Sequence, residues 1–382
     1  MSDKKLNVAL VHDWLTNSGG AENVVGCFMD IYEDAPIYTS MAIKENLSEK
    51  FQNANVIPSF LQKKVRGTKV NHQKYFPFMP MAFESFNLND YDVVISSSSS
   101  CAKGVITRPD TMHICYCHTP TRYVWEFYYD YIENMDSIGA KGKLKKALVK
   151  YFMNYMRIWD FNASNRVDYF IANSQYVASR IWKHYKREST VIYPPVDVDK
   201  FTPIDVDEDY FLCMSRLVPY KRVDLAVQAF NELGLPLVVI GGGSELEKIK
   251  VMAKDNVKVM GRQPDEVVKE YYAKCRAFIF PGEEDFGITP VEAQACGRPV
   301  IAYGKGGALE TVVDGKTGLF FEEQTVESLK DAILRFQKMK FDKKEIRKHA
   351  EEFSVEIFEN KIKSFVEEKY EEFKNTKHWN VR

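Results

Sequence analysis

Residues Pro281–Gly307 read PGEEDFGITPVEAQACGRPVIAYGKGG, and the reading of the whole chain starts from them. The run Ala277–Pro281 (AFIFP) is short and apolar, as a buried strand is. Glu283, Glu284 and Asp285 then stand beside a Phe286-Gly287 pair. Thr289-Pro290-Val291-Glu292 predicts a helix start, with Thr289 as N-cap, Pro290 at the first helical position and Glu292 three residues after the cap. Gly297 stops that helix, Pro299–Tyr303 is the next strand, and Gly304, Gly306 and Gly307 turn the chain again.

A helix that opens at the carboxyl end of a parallel strand presents free N–H groups and the positive end of its dipole to an anion. Glu284 on the loop and Glu292 on the first turn are carboxylates that accept hydrogen bonds from neutral polyols. The free N–H groups of the helix start take the phosphates between. A nucleotide-sugar makes that combined demand. Taken singly, Glu292 could only close a capping box and Glu284 could be a solvated loop charge.

The stretch resembles the signature of the retaining glycosyltransferases of family 4, which have the GT-B fold. Their motif has two glutamates separated by seven residues, Phe-Gly after the first, and Glu-Ala followed by a Gly-x-Pro-Val strand after the second. Here it stands as Glu284-Asp285-Phe286-Gly287, Glu292-Ala293 and Gly297-Arg298-Pro299-Val300. The resemblance implies an α/β protein of two doubly wound parallel-sheet domains facing across a cleft.

The 382 residues suffice for two domains. A net charge of −1 gives no case for a general nucleic-acid binder. Seven scattered cysteines, an odd number, point to reduced thiols in a cytoplasmic protein. Cys115-Tyr116-Cys117-His118 lacks a second ligand pair at zinc spacing, so neither metal nor cofactor is expected. No signal peptide precedes Leu6, and no apolar run approaches the ~20 residues of a membrane span.

In chain order, Asn7–Trp14 is a first strand, followed by a turn with Gly19, Gly20 and Glu22 and a helical pattern from Ala21. The glycine pair lets backbone approach a ligand, and it matches the family's Gly-Gly-x-Glu loop. Asp13 precedes that loop and could face the cleft. Asp92–Ser97, Met112–Cys117 and Asp168–Asn173 are further strands, with Ser174 capping a helix, and Val191–Tyr193 begins the last strand of this half. His118 follows a strand end, where open α/β sheets bind ligands. It corresponds to a family histidine that contacts the donor sugar, although it could instead satisfy a buried carbonyl.

The proline- and acid-rich residues 193–209 read as an interdomain linker. A second strand–helix series follows: Tyr210–Ser215, Pro236–Ile240, Val257–Met260, Ala277–Phe280, Val300–Tyr303 and Gly318–Phe321. Arg216 closes the first of these strands, and Lys221 lies just before a helix at Val223–Phe230. Two cations there suit a leaving diphosphate, and they match the family's Arg-x4-Lys pair. Gly241-Gly242-Gly243 resembles the family's glycine-rich turn. Gly261 and Arg262 end a strand where the family contacts the base. The domains expected are 1–195, acceptor-binding, and 206–354, binding the nucleotide-sugar, with a last helix in 355–382 crossing back to the first.

Two basic stretches, Lys63–Met79 with Lys69 and Lys74, and Lys141–Met153, place cations beside aromatic residues. That pattern grips an anionic bilayer, and the protein could be peripheral on the inner face of the cytoplasmic membrane. The HDW–Gly-Gly-Ala-Glu start, the CHTP–Arg-Tyr-x-Trp loop and the EEDFGITPVEAQACG block resemble the mannosyltransferases of bacterial O-antigen assembly. The resemblance implies a GDP-mannose donor, a lipid-linked glycan acceptor, front-face attack and no covalent nucleophile. A UDP-sugar donor, a nucleotide-sugar epimerase and a non-catalytic nucleotide-sugar-binding subunit remain open at this point.

Overall fold

The computed structural model describes residues 6–375, apart from 69, 71, 134, 136–138 and 207. Lys69, the side chain of Lys141 and the last seven residues of the expected 355–382 segment therefore lie outside the described residues. The chain divides into two compact units, Met1–Ile192 with Glu359–Arg382, and Tyr193–Phe358. The helix Val355–Asn375 begins in the second and continues in the first.

The first unit is built on β1 (Val8–His12), β2 (Ile37–Thr39), β3 (Val56–Pro58), β4 (Val93–Ser98), β5 (Met112–Cys117), β6 (Tyr169–Ala172) and β7 (Ser189–Val191). They form one parallel sheet in the order β3-β2-β1-β4-β5-β6-β7. β1, β4 and β5 are buried along their whole length. They read as apolar or small-residue runs because a central parallel strand is covered on both faces. β2 and β3, of three residues each, are the two outermost strands on that side of the sheet, too short for periodicity to reveal. The last strand ends at Val191, where the sequence pattern had it begin.

The second unit contains β8 (Phe211–Met214), β9 (Leu237–Ile240), β10 (Val257–Gly261), β11 (Ala277–Phe280), β12 (Val300–Tyr303) and β13 (Gly318–Phe321), in the order β10-β9-β8-β11-β12-β13, all parallel. Both sheets are α/β and doubly wound, as expected. Each has one point where the order reverses: between β1 and β4, and between β8 and β11. Loops leaving the carboxyl ends of strands diverge there, which opens a crevice for ligand.

The segment after Tyr193 is not a free linker. Val196 and Val198 are buried with Phe286, Val291, Ala295 and Phe353, and Val196 N–H donates to Phe353 O at 2.9 Å. One guanidinium nitrogen of Arg347 donates to the carbonyls of Val198, Phe201 and Ala295 at 2.6–2.8 Å. The prolines break the regular pattern, but the alternate valines still bury apolar area. All seven cysteines are buried free thiols.

Candidate functional site

In the second unit the loops after β8 and β11 meet backbone to backbone. A Cβ on Gly282 would lie 2.9 Å from Lys221 Cα, so only glycine permits this approach. The consequence is a direct ion pair between Lys221 Nζ and Glu284 Oε2, both largely shielded from solvent. Lys221 ends a 3₁₀ turn, Pro219–Lys221, and Arg222 in left-handed conformation (φ 51°) starts the helix Val223–Leu233. Arg216 is exposed. Its guanidinium donates to Tyr220 Oη at 3.3 Å, and Lys221 Nζ lies 5.3 Å from the centre of the same tyrosine ring. Tyr220 thus joins the two cations that the sequence paired.

Glu284 is held from the other side by the glycine turn after β12. Gly307 N–H donates to Glu284 O at 2.8 Å, and a Cβ on Gly307 would come within 2.2 Å of Phe286 Cα. The Phe286 ring is a core anchor, stacked on Tyr193 at 5.5 Å and against Phe353 at 5.6 Å. Its backbone is what it can offer a ligand. The helix that follows spans Ile288–Ala295, with Gly287 at φ 94° as its N-cap.

This corrects the expected start. Thr289 is the second helical residue and not the cap, so Glu292 closes no capping box. The side chain of Glu292 instead accepts from Tyr272 Oη at 3.0 Å. Burial pushes its carboxyl up from 4.5 to about 7, the Tyr272 hydrogen bond opposing and Asp265 adding to the rise. The glycine-rich turn after β9 packs on the Arg216 loop, through Leu217 N–H to Gly242 O and Glu245 N–H to Leu217 O, both 3.0 Å. Gly261 ends β10 and Arg262 is exposed, its stem near Gly242.

In the first unit Gly19 is the N-cap of the helix Gly20–Ile31, which opens one residue before Ala21. Asp13 does not face outward. It is buried, accepting from Cys101 N–H and Ala102 N–H at 2.8 Å and from Ser99 N–H at 2.6 Å, and so pins the serine-rich loop after β4. His118, just past β5, is partly buried. Its Nε2 lies 2.7 Å from Ser97 Oγ, and burial, reinforced by His12, pushes it down to about 3, so the ring is neutral.

The loop that carries His118 is held by a residue sequence reasoning missed. Asp160 is fully buried and accepts from Lys103 Nζ at 2.5 Å, Thr121 Oγ1 and Trp125 Nε1 at 2.7 Å and Tyr185 Oη at 2.8 Å. A single aspartate in the run Ile158-Trp159-Asp160-Phe161 carries no periodic signal. Only the convergence of four donors reveals it.

Asp160 lies on the helix Gly139–Ser164, which contains the second basic stretch. Met153, Met156 and Trp159 face the core. Leu144, Leu148, Tyr151, Tyr155 and Ile158, spaced at three and four residues, are 47–68% exposed, and Lys143, Lys145 and Lys150 are exposed beside them. Among the described residues no helix is long and apolar enough to cross a membrane. Within the same residues no group of three or more His, Cys, Asp or Glu could hold a metal ion.

Residues 37–200 match the family described as Glycosyltransferase Family 4, and residues 197–353 match Glycosyl transferases group 1. A glycosyltransferase of Methanocaldococcus jannaschii with no assigned activity is 28% identical over 63% of this chain and 67% of its own. A GDP-mannose-dependent alpha-(1-6)-phosphatidylinositol monomannoside mannosyltransferase of Mycolicibacterium smegmatis is 34% identical over 42% of this chain and 50% of its own. The chain thus spans half to two thirds of these relatives. The crystal structure of Anabaena HepE with UDP and glucose superposes with a TM-score of 0.67 at 18% identity, covering 95% of this chain and 99% of that one. The chain is a GT-B glycosyltransferase of the group 1 and family 4 type. Its relatives at modest identity include mannosyltransferases.

Proposed function

We propose that the protein transfers mannose from GDP-mannose, with retention, to a hydroxyl of a lipid-linked glycan in surface-polysaccharide (O-antigen-like) assembly. The observation that carries this reading is the contact between Lys221 and Glu284 at the reversal point of the second sheet. A cation and a carboxylate side by side suit a ligand in which a phosphate adjoins a polyol. On binding, Lys221 turns to the diphosphate and Glu284 to the sugar hydroxyls. Arg216 and Lys221 carry the charge that develops on the leaving diphosphate, in place of a metal. Phe286, Gly287 and Ile288 offer backbone N–H groups at the helix start. Glu292 takes the ribose diol, Gly261 and Arg262 border the base, Gly19 and Gly20 allow close approach, and His118 contacts the sugar.

The lipid side of the proposal is supported by the helix Gly139–Ser164, whose exposed leucine–tyrosine–isoleucine stripe is flanked by lysines. Such a face seats in an anionic membrane surface, each cation contributing ~1 kcal/mol. A UDP-sugar donor is the second reading, favoured by the UDP in the structurally similar Anabaena protein.

Thermal unfolding with GDP-mannose, GDP, UDP-glucose and UDP, with and without a chelator, tests the donor, because a ligand bound only by the folded protein raises the midpoint. A guanine-only shift that survives chelation, with an α-linked mannoside formed on a lipid-diphosphate acceptor, is expected. A uracil-only shift overturns the donor. No shift with any nucleotide overturns the transferase reading in favour of a non-catalytic subunit, and product formed without acceptor indicates an epimerase.

A further inference from the structure

Lys221 and Glu284 come from separate motifs, and the fold gives each of them to the other alone. Among the described residues neither side chain has a second ion-pair partner. The two side chains keep only 14% and 19% of their solvent exposure, so water compensates poorly for a partner taken away. Glu283 and Asp285 flank Glu284 in the chain. They bring further negative charge to the loop and no replacement cation.

Backbone contacts keep the pair together. A Cβ on Gly282 would lie 3.0 Å from Lys221 O, and one on Gly306 would lie 2.5 Å from Glu284 O, so these loops touch at bare backbone. The Gly307 N–H bond to Glu284 O holds the same loop from a further side. Only the side chains are left to change partner. A phosphate that takes Lys221 therefore competes with Glu284 for it, and it leaves the carboxylate facing an anion at close range.

A nucleoside diphosphate and its sugar ester meet this pair on different terms. Both take the ammonium, but only the ester brings hydroxyl donors for the carboxylate that the ammonium has left. We infer that the Lys221–Glu284 pair makes the site discriminate against its own product. Glu284 competes with a bare diphosphate for Lys221, and it stops competing once a sugar engages it. When the sugar has gone to the acceptor, Glu284 recovers Lys221 and the diphosphate is displaced. The inference deepens the proposed function and rests on it, since it takes from there that Lys221 meets the diphosphate and Glu284 the sugar.

The test is calorimetric titration of the full chain at neutral pH with GDP against GDP-mannose and with UDP against UDP-glucose. Glu284→Gln keeps the shape of the side chain and removes its charge. It should bind the diphosphate roughly tenfold more tightly than the unsubstituted protein, the scale of one charged contact, while the nucleotide-sugar gains nothing or binds more weakly. Glu284→Ala should tighten the diphosphate in the same direction, which keeps the test open if the Gln variant folds poorly. Glu283→Gln removes a charge from the same loop and should have a much smaller effect. Diphosphate binding that is unchanged or weaker in both Glu284 variants overturns the inference, as does a nucleotide-sugar that gains as much as the diphosphate. Equal tightening in Glu283→Gln also overturns it, because net charge and not the pair is then responsible. If no nucleotide binds the unsubstituted protein, the donor site of the proposed function fails and this inference falls with it.

Discussion

Replacing Glu292 by Gln should make the protein more stable, by an amount that grows as pH rises from 4.5 to about 7 and is complete above that. The folded chain holds this carboxyl at about 7, mainly through burial, against 4.5 for an ordinary one. Between those values the folded state binds a proton that the unfolded state has released. Stability therefore falls as pH rises from 4.5 to 7, and above 7 the whole cost is present. A displacement of that size corresponds to about 3 kcal/mol, an upper figure because the side chain keeps some contact with solvent. Gln still accepts from Tyr272 Oη and cannot ionise, so the cost disappears. Calorimetric midpoints of the full chain should differ little at pH 5. At pH 8 the variant should melt several degrees higher, given about 2–4 °C per kcal/mol for a domain of this size. A gap that is the same at both pH values, or a variant that melts lower at pH 8, refutes the account. Destabilisation on that scale is retained where a group has work to do. The same substitution should accordingly weaken GDP binding about tenfold or more, consistent with loss of a charged hydrogen-bond acceptor.

Lys221→Met should reduce kcat by about a hundredfold or more, the scale of a lost transition-state charge contact, with thermal stability little changed; near-normal turnover argues against the diphosphate role. Asp160→Asn leaves Lys103 buried without its counter-charge and should cost about 3–5 kcal/mol in urea unfolding of the first unit, and a loss below about 1 kcal/mol shows that Lys103 finds another partner. Triple replacement of Leu144, Tyr151 and Ile158 by Glu should abolish sedimentation with phosphatidylglycerol vesicles while leaving nucleotide binding intact, because these side chains are exposed. Undiminished vesicle binding removes the helix Gly139–Ser164 from the membrane reading.

Much was legible in the sequence because its signals are local. Apolar runs such as Ala277–Phe280, Val300–Tyr303 and Met112–Cys117 gave their strands to the residue, since a strand buried on both faces must be nearly continuous in apolar or small side chains. Ser174 was read as a cap, and its hydroxyl accepts from Val177 N–H. Lys221 and Glu284 could each be named from their own motifs. Their meeting could not, because it depends on β8 and β11 being neighbours, which no local pattern encodes.

The same limit explains the misses. Thr289-x-x-Glu292 has the form of a capping box, yet the loop from β11 enters the helix earlier, through Gly287, and Glu292 turns to Tyr272, twenty residues away. Asp13 looked like a cleft residue until it was seen to hold backbone groups of residues 99, 101 and 102. Short strands such as β2 and β3 owe their existence to a neighbour's open hydrogen bonds rather than to their own composition. The sequence by itself determined the kind of protein, the strands of its two sheets and the residue types facing a ligand, because propensity and burial act along the chain. The tertiary structure decided which distant side chains meet: Lys221 with Glu284, Asp160 with four donors, and His12 and His118 on either side of Ser97. Those pairings are set by sheet order, and sheet order follows from packing the whole chain.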